Sequence, residues 1–198
     1  VKLKRYKRVL IYFLFLFPAV LYAHKLHHPK VIIVEVNKNN IRVMLNYIVN
    51  PGDESTMLRK KFDTDRNGKL NQEEQEQLQK YLIKNVLSSF ALYLNRERPD
   101  FEPLDYRTEN IDAEVNSSSA ISIDIHLVSK NMNFLKENEL VISDFLMDNK
   151  NHIPTIVKFS ADFQILQTSQ GKIIKKSNLI RDIELERGID VKIKFKRL

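Results

Sequence analysis

Ile121-Ser122-Ile123-Asp124-Ile125-His126-Leu127 alternates apolar and polar side chains without a break, the period of a strand with one dry face and one wet face. The same alternation sets Ile41, Val43, Leu45, Tyr47 and Val49 against Arg42 and Asn46, and Ile111, Ala113 and Val115 against Asp112 and Glu114. It runs again through Val157, Phe159, Ala161, Phe163 and Ile165 against Lys158, Ser160, Asp162 and Gln164. A last strand sets Ile189, Val191, Ile193 and Phe195 against Asp190, Lys192, Lys194 and Lys196. With shorter runs at 31–36, 90–94, 103–107, 139–145 and 178–186, about nine or ten strands are expected. Strands with one dry face close a core when antiparallel sheets pack face to face. The reading is therefore an α+β fold that is mainly an antiparallel β-sandwich. Arg187-Gly188 is the candidate tight hairpin between the last two strands.

Over residues 53–90 the period lengthens to about 3.6, so a helical insertion interrupts the strands. Asn50-Pro51-Gly52-Asp53 reads as a turn and a helix cap. Asp53 and Glu54 then place negative charge at the positive end of a short helix over 54–63 that carries Met57, Leu58 and Phe62. A longer helix is expected over 72–89, where Leu78, Tyr81, Leu82, Val86 and Phe90 make one face apolar and Glu73, Glu76, Gln77 and Lys80 keep the other wet. No other substantial helix is expected, and most of 105–197 is read as antiparallel strand.

Between the two helices stands Asp63-Thr64-Asp65-Arg66-Asn67-Gly68-Lys69-Leu70-Asn71-Gln72-Glu73-Glu74. This stretch resembles the EF-hand family at every ligating position of the pattern D-x-[DN]-x-[DN]-G-x5-E. The resemblance implies a Ca2+ site. Asp63, Asp65 and Asn67 would supply side-chain oxygens, Lys69 its carbonyl, Asn71 an oxygen that often acts through water, and Glu74 both carboxylate oxygens. Gly68 falls where such a loop turns sharply, and Leu70 is the apolar residue that would pin the loop to a neighbour. A plain turn would favour Asp and Gly too, but it has no use for a carboxylate six residues beyond the glycine. Asn71 can also cap the second helix while Glu74 reaches back to it, as in a capping box. The resemblance covers about 40 residues. There is no second such loop: Asp148-Asn149-Lys150-Asn151-His152 begins like one but has Lys at the third place, and it reads as a polar loop.

Val1 to Arg8 carries Lys2, Lys4, Arg5, Lys7 and Arg8 and no acid, Val9 to Tyr22 is apolar, and Ala23 is small. That is the layout of a secretory signal peptide over 1–23, leaving one domain over 24–198 outside the cytoplasm, periplasmic or secreted. The apolar run is shorter than the ~20 residues a membrane span needs and contains Pro18, so no stable span is expected after cleavage. The formal net charge of +7 falls to +2 without residues 1–23, which removes the argument for a nucleic-acid partner. With no cysteine, stability must come from packing and from a bound ion.

No G-x-S-x-G, H-E-x-x-H or glycine-rich phosphate loop is present, and the chain is not read as an enzyme. The expected partner is the calcium ion, with a protein of the cell envelope as a candidate. The alternative is a periplasmic metal-handling or transport-accessory protein using His24, His27 and His28, whose nitrogens suit Cu(II) or Zn(II). Asp124 and His126 share a strand face and could add ligands. The Lys192, Lys194, Lys196, Arg197 row is read as protection of an edge strand.

Overall fold

The alternating runs become strands whose inward residues are buried. The computed structural model describes residues 30–145, 153–186 and 189–198. The expected signal segment, His24, His27 and His28, the loop from Asp148 to His152 and the Arg187-Gly188 turn lie outside the described residues. In chain order the elements are β1 (Lys30–Asn37), β2 (Asn40–Val49), α1 (Asp53–Phe62), α2 (Gln72–Ser89), β3 (Phe90–Leu94), β4 (Glu102–Glu109), β5 (Ile121–Lys130) and β6 (Glu137–Asp144). They continue as β7 (Ile153–Phe159), β8 (Phe163–Thr168), β9 (Lys172–Ile174), β10 (Leu179–Leu185) and β11 (Val191–Arg197).

Two sheets form, one of seven strands in the order β4-β5-β2-β1-β7-β10-β9 and one of four in the order β3-β6-β11-β8. Ile32, Val34, Val43, Leu45, Ile123 and Val157 of the larger sheet share one buried cluster with Leu92, Leu140, Ile142, Ile193 and Phe195 of the smaller. Each such side chain contributes about 1.5–3 kcal/mol when fully buried. The expected α+β, mainly antiparallel sandwich is what forms. The helices fall where the period changed, and they do more than interrupt a sheet. β2 belongs to the larger sheet and β3 to the smaller, so α1 and α2 are the crossover between them. Leu78, Leu82 and Val86 of α2 join the same core. Among the described residues, no helix is long and apolar enough to cross a membrane.

Several expectations need correction. The mainly antiparallel sheets include one parallel pair, β1 with β7, and the long chain between them supplies the crossover such a pair requires. The run from Val157 to Ile165 is two strands in different sheets. It breaks at Ser160-Ala161-Asp162, where Phe163 N–H bonds Ser160 O at 3.2 Å and Ser160 Oγ bonds Asp162 Oδ2 at 3.0 Å. Ile111 to Val115 is not a strand, although Ile111 and Val115 are buried. β10 pairs with β7 and β9, and β11 with β6 and β8, so the last two strands are not a hairpin pair. Because β11 is a central strand, its lysines do not guard an edge: Lys194 and Lys196 lie opposite Glu139 and Glu137 of β6. The last strand begins at Val191, and eleven strands form among the described residues.

Candidate metal centre

α1 starts after Gly52, whose φ of +98° suits glycine, and no side chain caps it. Asp53 is thus the first helical residue and not the cap, where with Glu54 it still places negative charge at the helix N-terminus. α1 ends at Phe62 and Asp63 caps it, its N–H donating to Arg59 O at 3.0 Å. Beyond it the chain turns through Arg66 at φ +56° and Gly68 at φ +85°. A Cβ on Gly68 would meet open space, so the glycine answers to backbone conformation and not to crowding.

The turn gathers donors around the carboxylates. Asp63 Oδ1 accepts from Asn67 N–H at 3.1 Å and its Oδ2 from Gly68 N–H at 3.1 Å, while Asp65 Oδ1 accepts from Asn67 N–H at 3.0 Å. The Asn67 amide donates to Asp65 Oδ2 at 2.7 Å, and its Oδ1 accepts from Lys69 N–H at 2.8 Å. α2 opens with the expected capping box: Glu74 N–H donates to Asn71 Oδ1 at 3.1 Å and Asn71 N–H to Glu74 Oε2 at 3.0 Å. Asn71 therefore serves the helix cap. Glu74 is buried, and its Oε1 also accepts from Thr64 N–H and Thr64 Oγ1, each at 2.6 Å, and from Asp65 N–H at 3.4 Å. The Thr64 hydroxyl, then the Asn71 N–H, hold its carboxyl below the ordinary range.

Of the six residues expected at the site, Asp63, Asp65 and Glu74 come together with one carboxylate oxygen of each within 4.8 Å of the others. Oxygens on opposite sides of a calcium ion lie about 4.6–5.2 Å apart, twice its bond length, so three oxygens this close can touch one ion. The ligand oxygens are carboxylates without His or Cys, a set suited to a hard cation. Leu70 is buried, as a pinning residue must be. Tyr81, expected on the apolar face of α2, is exposed and packs at a tilt against Phe62, ring centres 5.4 Å apart, with Lys61 Nζ 4.4 Å from its ring centre.

Two buried cations hold the helices and were not legible as site residues. Arg59 of α1 is 0 % exposed, and its guanidinium donates to Ser117 O, Asn110 O, Ser119 O and Ser119 Oγ at 2.7–3.1 Å. Burial pulls its pKa down, partly countered by Asp112. At the other end of α2, Lys30 Nζ pairs with Asp144 Oδ2 and donates to Ser89 Oγ at 3.0 Å and Val86 O at 3.4 Å. Burial lowers the Lys30 pKa and Asp144 opposes that shift. Asp124 and His126 face outward on β5, where Asp124 accepts from Asn46 Nδ2 at 2.6 Å. They join no metal-ligating cluster among the described residues.

No family model matches this chain, and no curated protein matches it.

Proposed function

We propose that the protein binds Ca2+ through a single EF-hand-like loop, outside the cytoplasm, and that the ion clamps the crossover between the two sheets. The observation that carries this reading is the convergence of Asp63, Asp65 and Glu74 on one point of a loop whose turn and capping box are already formed. In this reading Asn67 adds a neutral oxygen, Lys69 its carbonyl, and Asn71 acts through water. The ion supplies a fixed double positive charge, and the chain supplies its cage.

Affinity is modest. Glu74 already accepts four hydrogen bonds, about as many as a carboxylate has positions for, so an ion must displace some of them. Arg66 and Lys69 also offset part of the loop's negative charge. Dissociation constants on the order of 10⁻⁵–10⁻³ M, the range of weak sensors and extracellular modules, follow. The buried face of α2 argues against a large opening that would expose a target groove. Isothermal calorimetry with Ca2+ and, separately, Mg2+ and Zn2+ tests the reading. Saturable Ca2+ binding that disappears in Asp63→Ala with Glu74→Gln is expected, and no heat at millimolar Ca2+ refutes it.

A further inference from the structure

The surface loop of residues 110–120 joins β4 to β5, yet among the described residues its hydrogen bonds to the rest of the chain run to Gly52, α1 and the loop between the helices. Asn110 Nδ2 closes its neck on Ala120 O at 3.0 Å, and Ile111 and Val115 are buried beneath it. Gly52 N–H donates to Ser118 O at 2.8 Å and Thr56 Oγ1 to Ser117 O at 3.0 Å. All the side-chain hydrogen bonds of buried Arg59 go to Asn110, Ser117 and Ser119. In the opposite direction, Val115 N–H donates to Gly68 O at 3.0 Å, inside the cation loop itself.

We infer that Arg59 is a positioning residue for the cation loop, and that the 110–120 loop braces it in place of a second calcium loop, so that ion binding and docking of 110–120 strengthen each other. This rests on the calcium-binding reading above. Arg59 acts at two points at once. Its carbonyl receives the N–H of Asp63, the first ligand residue, while its guanidinium fork bridges carbonyls of the docked loop. The bond from Val115 fixes the Gly68 carbonyl, and Gly68 lies between Asn67 and Lys69, both of which carry proposed ligand oxygens. If 110–120 leaves, a buried cation loses its acceptors and the Gly68 peptide loses its tether, which costs more than a neutral contact would. By linkage, whatever factor the ion adds to docking, docking adds to ion affinity.

The test is calcium calorimetry and amide hydrogen exchange on the full chain, for the parent, Arg59→Met, Arg59→Lys and Val115→Pro. Amides of residues 111–119 in the parent are expected to exchange roughly 10-fold more slowly with Ca2+ bound, a coupling in the ordinary range. Arg59→Met should bind Ca2+ roughly 10-fold more weakly, and Arg59→Lys, which keeps the charge without the fork, should fall between. Val115→Pro, which removes the N–H on Gly68 O, should also weaken binding. A purely structural Arg59 would lower melting equally with and without Ca2+ and leave affinity unchanged. Parent protein that binds Ca2+ with no change in exchange at 111–119 overturns the coupling and leaves the calcium reading intact, and so does folded Arg59→Met that binds as well as the parent. A parent that binds no Ca2+ removes both. The exchange arm uses the unmodified chain, so it decides even if a variant does not fold.

Discussion

Gly68 turns the cation loop at φ +85° with open space where a Cβ would sit, so replacing it tests backbone conformation alone. Gly68→Ala should destabilise the protein by about 1–2 kcal/mol, measured by urea unfolding, because an L-residue is strained there. Lys30 is the opposite kind of residue, fixed by its partners. Lys30→Met removes the buried cation that Asp144 Oδ2 pairs with and should cost about 3–5 kcal/mol. Glu74 gives the pH dependence. Its pKa is depressed in the folded state, so its contribution is complete above the unfolded value of about 4.3 and is lost as pH falls through the folded value. In the presence of chelator, Glu74→Gln should therefore flatten the acid limb of a stability-against-pH curve. Asp63, Asp65 and Glu74, the carboxylates that come together, could be picked out because their spacing is written within twelve consecutive residues. Arg59 and Lys30 could not, because their partners stand 51–60 and 56–114 residues away.

At the scale of elements, α2 is capped at its N-terminus by Asn71 and held at its C-terminal end by Lys30, and it buries Leu78, Leu82 and Val86 between. Asn71→Ala removes the acceptor for Glu74 N–H and should cost about 1 kcal/mol in thermal or urea unfolding. It should also loosen Glu74, so calcium affinity should fall with it. α2 could be read from the sequence because a stripe of period 3.6 declares itself over several turns, whereas α1 was marked by its preceding turn and acidic start, and its Met57, expected among the apolar residues, is exposed. The 157–165 run misled because Ala161 and Asp162 continue the alternation through a turn, and nothing in polarity alone marks the change of sheet. Ile111 and Val115 misled for a related reason. They are buried as an alternating strand would bury them, but beneath a closed loop.

For the whole molecule, sheet membership was the least legible feature, since pairing joins distant segments: β1 with β7, β6 with β11. That membership is what gives the helix pair its importance. The cation loop sits in the crossover from the larger sheet to the smaller, and its ion would stabilise a joint on which both layers depend. A ligand that binds only the folded chain adds about 2.7 kcal/mol at a concentration ~100 times its dissociation constant. For a domain of this size that corresponds to a rise in melting temperature of roughly 5–10 °C. The most direct measurement is thermal unfolding with saturating Ca2+ and with chelator, for the parent and for Asp63→Ala with Glu74→Gln. A rise of that order is expected in the parent and none in the double variant. An unchanged melting temperature in the parent, or an equal rise in both proteins, would contradict the proposed calcium clamp.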